Sequence, residues 1–145
     1  MAPGADRLAG YRDALSTAGG GADDGRVAIA DFTLDGGRAA MASLLKVDPE
    51  LDGVFAASDL MALGAMEVLR AAGRRVPEDV AVVGFDDSPM AESASPPLSS
   101  VRQPIEEMGR EMTRLLLASL RRADDPPRRV VLDTTLIARR TSAPM

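Results

Sequence analysis

Cysteine and histidine are both missing from this chain of 145 residues. Without cysteine there are no disulfides, no thiolate metal sites and no thiol nucleophile, and the redox compartment is left open. Without histidine the usual general base and metal ligand are gone. Zinc chemistry and a Ser–His–Asp triad are thereby excluded. Aromatic residues are only 3% of the chain, so Val, Leu, Ala and Met must build the core. Lys46 is the single lysine, and arginine carries the remaining positive charge. No apolar run reaches the roughly 18 residues of a membrane-spanning helix, and no signal-like segment is visible. A soluble cytoplasmic protein without a membrane partner is the expectation.

What is present suffices for one domain with its own core, since 46% of the residues are apolar. The net charge of −5 argues against a domain that grips a phosphate backbone by itself. The opening "MAPGADRLAGYRDAL" enters a helical pattern almost at once, as a chain starting partway through a domain does.

Leu8, Tyr11 and Leu15 recur at helical spacing, which predicts a helix over residues 5–18. "GGGADDG" (19–25) is a turn-rich loop. "VAIADF" (27–32) has strand character, and residues 36–47 read as a helix. "DGVFAAS" (52–58) is a second strand. Residues 59–72 form a helix that is apolar nearly all round, with Ser58 or Asp59 able to cap it and Gly73 to end it. "DVAVVGF" (79–85) is the third strand. These strands are continuous apolar runs, the pattern of a parallel sheet covered on both faces. Alternation of strand and helix agrees, so the fold class is α/β with a Rossmann-like parallel sheet. Beyond it lie an irregular stretch (88–98) with a short helix, a strand or crossover at 99–103, and a helix from Pro104 to about Arg122. That helix carries the stripe Ile105, Met108, Met112, Leu115 and Leu116, with Glu106–Arg110 and Glu111–Arg114 pairs on its wet side. "DDPPRR" (124–129) is a linker, and residues 130–140 read as a late strand.

In open parallel sheets, ligands bind beyond the carboxyl ends of the strands. Those ends carry Asp31 and Phe32, Ser58 and Asp59, and Asp86 and Asp87. A carboxylate there can accept hydrogen bonds from neighbouring hydroxyls, the geometry that a sugar presents. Phe32 offers an apolar face for a sugar ring, and Arg7 a fork of donors. Each residue also has a plainer role: the acids as caps, Phe32 and Met61, Met66, Met108 and Met112 as core, Arg7 as a solvated helix residue. Asp59 and Asp87 suit capping better, and Asp86 suits ligand binding better. A receiver-type phosphoacceptor site lacks its strand-end lysine. The dehalogenase Asp-x-Asp-x-Thr pattern is absent, as are G-x-G-x-x-G and the P-loop.

The stretch from "DGVFAASDLMALGAMEVLRAAG" through "VPEDVAVVGFDDSPM" to "SSVRQPIEEMGREMTRLLL", with "RLAGYRDAL" before it and "VVLDTTLIARRTS" after it, closely resembles the LacI/GalR (lactose-repressor) family of bacterial transcription regulators. The resemblance covers essentially the whole chain. It implies a partial type I periplasmic-binding-protein-like fold, in which two subdomains close on an effector, usually a sugar or purine. Residues 1–98 would be the C-terminal subdomain without its first strand. Residues 99–123 would supply a crossover strand and helix to the N-terminal subdomain, and 124–145 a return strand and tail. The family's helix-turn-helix and hinge have no counterpart here, so operator DNA would be bound only through a domain these residues do not include.

By the same resemblance, Arg7 matches the arginine that contacts the effector, Phe32 an aromatic packed on it, and Asp86 the acid that binds its hydroxyls. Ser58 stands where an asparagine is usual, a departure that bears on effector identity. Asp31 has a weaker match. Met61, Leu63 and Met66, with Met90 and Ala94, resemble a homodimer surface. The expected function is the effector-binding and dimerising portion of a LacI-type regulator, with no enzymatic step, metal or cofactor. A periplasmic solute-binding protein of the same fold is the alternative. An acid-dependent phosphatase using Asp86 is a third, disfavoured by the missing histidine.

Overall fold

The structure, a computed structural model, describes residues 2–20, 24–121 and 128–142. The expected linker at 124–129 and the glycine loop at 19–25 lie partly outside the described residues, and the tail beyond 142 wholly so. The elements run α1 (Ala2–Thr17), α2 (Leu34–Val47), β1 (Gly53–Phe55), α3 (Asp59–Ala71), β2 (Ala81–Asp86), α4 (Pro89–Ser93), β3 (Ser99–Arg102), α5 (Ile105–Arg121) and β4 (Thr135–Ile137), with a 3-10 turn at Asp24–Arg26.

One four-stranded sheet has the order β1-β2-β3-β4. The first three strands are parallel, through Val54↔Val82 and Gly84↔Ser100, and β4 closes the edge antiparallel to β3. The strand at 99–102 was expected to serve the other subdomain. It lies instead in this sheet, because Ser99 and Ser100 are fully buried between β2 and the return segment.

The strand expected at 27–32 is not formed: these residues take no place in the ladder, and Ile29 is 96% exposed. A strand needs a neighbour to hydrogen-bond, and apolar content alone does not supply one. Ala30 still packs on the core edge.

The core sits between α3, α2 and β2. Leu69, Val80, Val82, Leu98 and Met41 are at most 1% exposed, each worth about 1.5–3 kcal/mol of burial. Glycine sets the helix spacing: a Cβ on Gly37 would overlap the backbone of Met61, and one on Gly64 the carbonyl of Leu34. α2 and α3 therefore touch backbone to backbone.

The return segment is stitched beneath the sheet. Val82 N donates to Thr141 O at 2.8 Å, and Thr141 Oγ1 donates to Val82 O at 2.6 Å. Ser99 N donates to Thr141 Oγ1 at 2.8 Å. Two helices bury little against this body. No described side chain of α1 is buried, and none of α5. On α5, Ile105, Met112, Leu116 and Leu120 are 60–73% exposed. No helix among the described residues is long and apolar enough to cross a membrane.

Candidate functional site

Arg7, projecting from the middle of α1, is the hub of the strand-end rim. Its guanidinium carbon lies 3.9 Å from the Phe85 ring centroid and 5.8 Å from that of Phe32. Stacking shields one guanidinium face from water and leaves the in-plane donors free. Its NH2 is 3.9 Å from Asp86 Oδ1. That distance is long for a hydrogen bond, so the pair attract without consuming each other's bonding capacity. Phe85 is braced in turn by an edge contact with Phe55 at 6.5 Å.

Asp86, at the end of β2, accepts a hydrogen bond from Gln103 Nε2 at 2.8 Å. Burial raises its carboxyl above the ordinary range. The Gln103 bond and the Arg7 charge oppose that rise, and nearby Asp59 adds to it. A cleft of about 460 Å³ runs alongside, lined by Asp86, Asp87, Arg102, Gln103, Pro104 and Ile105. A second hollow of about 380 Å³, at the far end of α3, is floored by Arg70, Arg74 and Arg75. Those arginines are occupied by Ser95 O, by Leu51 O and by the Asp79 carboxylate.

Backbone strain marks the same rim independently. Among the described residues, the only non-glycine residues with positive φ are Phe32 (65°), Asp86 (109°) and Asp87 (53°). Each costs of order 1–3 kcal/mol, and such residues gather where function requires a particular side-chain aim.

Asp59 and Asp87, favoured in sequence as caps, do other work. Ser58 caps α3, its Oγ accepting from Met61 N at 3.3 Å. Asp59, 2% exposed, accepts from Ser100 Oγ and from Ser88 N, both at 2.6 Å. A Cβ on Gly84 would collide with that carboxylate, so glycine in β2 makes room for it. The Asp87 side chain is 4% exposed and lies between Arg102 Nε at 2.6 Å and Arg139 NH1 at 2.7 Å. Burial pushes its carboxyl up, but the hydrogen bonds from Arg139 and Arg102 outweigh this and hold it below the usual range.

The structure thus brings Arg7, Phe32 and Asp86 together. Ser58 is 6% exposed and its hydroxyl serves the helix cap. Asp31 is held locally: Thr33 Oγ1 donates to it at 2.6 Å and lowers its pKa, while Thr33 caps α2. Of the expected dimer residues, Met61 and Met66 are 9% and 5% exposed and belong to the chain's own core, because α3 packs on α2 and β2. Leu63 and Ala94 are half-buried against that core, and Met90 is 45% exposed. Phe85 and Gln103 were not singled out in sequence; the only signal was their position, one just before Asp86 and the other just after β3. No group of three or more acidic side chains that could hold a metal ion occurs among the described residues.

A polar rim beside a cleft, at the ends of parallel strands, is the place where open α/β sheets bind ligands. The family model described as the periplasmic binding protein-like domain matches residues 2–142, and the chain belongs to this family, in its LacI branch. Its relatives include the HTH-type transcriptional regulator CelR of Thermobifida fusca, 57% identical over 139 residues, covering 96% of this chain and 41% of that protein. The ribose operon repressor of Halalkalibacterium halodurans is 33% identical, covering 98% and 42%. Among solved structures, a transcriptional regulator CelR–cellobiose complex superposes with a TM-score of 0.92 at 56% identity, over 96% of this chain and 42% of that one. A LacI family regulator from Arthrobacter sp. FB24 in complex with lactose gives 0.76 at 36% identity, over 90% and 48%. The chain spans less than half the length of these relatives.

Proposed function

We propose that these residues form the effector-binding portion of a LacI-type transcription regulator, and that the effector is a glucose disaccharide of the cellobiose type. The observation that carries this is the Arg7 stack: a guanidinium flattened on Phe85, edged by Phe32, and aimed at the Asp86 carboxylate. A sugar ring offers an apolar face to Phe32 and adjacent hydroxyls to Asp86 and to the free Arg7 donors. The similarity to a CelR–cellobiose complex supports cellobiose over a monosaccharide.

In the full-length regulator, residues 1–102 and the return segment act as the C-terminal subdomain, and α5 packs against the N-terminal one. Effector contacts favour subdomain closure and so change the affinity of a separate DNA-binding domain for its operator. No covalent step is involved. The regulator acts in the cytoplasm as a homodimer, with Leu63, Met90 and Ala94 near the shared surface. A periplasmic solute-binding protein would use the same cleft, but the regulator names of the relatives weigh against it.

The test is a titration of the 145-residue chain with cellobiose, followed by ¹H–¹⁵N NMR. Resonances of Arg7 Nε, the Gln103 amide and the backbone at 85–87 are expected to shift together. Asp86→Asn should weaken binding about tenfold or more, the loss of a charged hydrogen bond. No shift at about 10 mM sugar, an affinity of under roughly 3 kcal/mol, would sink the assignment.

A further inference from the structure

Resting on the sugar-binding assignment above, we infer that Asp87 is a positioning residue of the effector site, locked by Arg102 and Arg139 so that Asp86 faces the cleft. Asp86 and Asp87 are consecutive residues with positive φ. L-residues leave that region readily unless neighbours hold them. The partners of Asp86 reach only its side chain and leave its backbone unsecured: Gln103 Nε2, which lines the cleft, donates at 2.8 Å, and Arg7 stands 3.9 Å away. Asp87 supplies the anchor. Its carboxylate receives Arg102 Nε at 2.6 Å and Arg139 NH1 at 2.7 Å while only 4% exposed. Its backbone N donates to Ser100 Oγ at 3.0 Å, and that hydroxyl donates to Asp59. The next residue is fixed too, since Ser88 N donates to the other Asp59 oxygen.

The three segments that meet at Asp87 give the clamp its meaning. Arg102 ends β3 and sits in register beside Asp86. Arg139 belongs to the return segment, and its NH1 also donates to Leu98 O at 2.9 Å. Arg102 leads directly into Gln103 and α5, the exposed apolar helix. The aim of Asp86 is therefore set jointly by the β2 end, by the strand leading to α5, and by the return segment. Removing the Asp87 charge leaves two guanidinium groups with no anion between them, and the left-handed pair loses its tether.

The experiment compares Asp87→Asn with wild type and with Asp79→Asn, which breaks the Arg75–Asp79 ion pair away from the cleft. In sugar-free chains, the Gln103 side-chain amide and the Arg7 Nε–H resonances report whether Asp86 and Phe85 keep their places. Asp87→Asn is expected to move both toward free side-chain positions and to weaken cellobiose binding about tenfold. Asp79→Asn should lower Tm while leaving both resonances and the affinity unchanged. Arg102→Gln, at a 56% exposed side chain, keeps the test open if Asp87→Asn fails to fold, and should reproduce its shifts in weaker form. Unmoved reporters in both clamp variants overturn the inference, whether or not cellobiose binds. A wild type that ignores cellobiose, with reporters that move in the variants, leaves Asp87 as the positioning residue and overturns only the choice of sugar.

Discussion

Helices α3 and α5 are both rich in apolar residues, yet seven of the 13 residues of α3 are buried and none of the 17 of α5. α3 meets α2 through glycines that let the backbones touch, and meets β2 through Ala62, Ala65 and Leu69. Among the described residues, α5 leaves β3 with nothing of comparable area to lie on. Apolar spacing therefore specifies that a helix will bury a face, while the rest of the molecule decides whether it can. The packed half carries the stability, and the bare half is free to engage another surface.

The sharpest way to break this contrast is Leu69→Ala, at a residue that is fully buried. It should cost about 2–5 kcal/mol in chemical denaturation. A loss below about 1 kcal/mol would mean that the α3 core is less compact than described. Next is Asp59→Ala, which strips partners from Ser100 Oγ and Ser88 N. About 1–3 kcal/mol is expected, from leaving buried donors unsatisfied.

On the bare side, Leu116→Glu with Leu120→Glu should leave stability within about 0.5 kcal/mol. The wild-type chain should self-associate through that stripe in sedimentation velocity, and the double variant should not. A variant that unfolds as readily as Leu69→Ala would show that α5 is packed after all.

The smallest effects concern pH, and the two adjacent acids oppose each other. Asp87 has a folded value below 3.8, so its contribution is present above that pH and fades as the solution is acidified through the folded value. Asp86 has a folded value above 3.8. Its contribution favours folding below pH 3.8 and is lost as pH rises through the folded value. At pH 7 Asp86→Asn should therefore raise Tm slightly while Asp87→Asn lowers it, measured by circular dichroism melts. Equal shifts of one sign would contradict the separate roles.

Much of this was legible in the sequence because helical spacing and continuous apolar runs are local signals. α2, α3 and α5 lie within a few residues of their expected limits. The run at 27–32 misled because "VAIADF" has strand composition without a strand neighbour. At the rim, Asp86 was found by its place at a strand end, Phe32 by following an apolar run that forms no strand, and Arg7 as a helix residue picked out by the family resemblance. Phe85 was hidden inside an apolar strand, and its contact with Arg7 joins residues far apart in sequence. The roles of Asp59 and Asp87 were misjudged because a cap and a buried acceptor present the same letter after a strand. Positive φ at three non-glycine residues leaves no mark in composition at all.

Thr141 offers a final consequence. Both its backbone and its hydroxyl are bonded to Val82, and its hydroxyl also takes Ser99 N. A premature stop codon or a protease cut ahead of residue 139 would therefore do more than trim a tail. It would orphan the central strand's amide and carbonyl and take Arg139 with it, so a lesion after β4 would surface as a protein unable to aim Asp86.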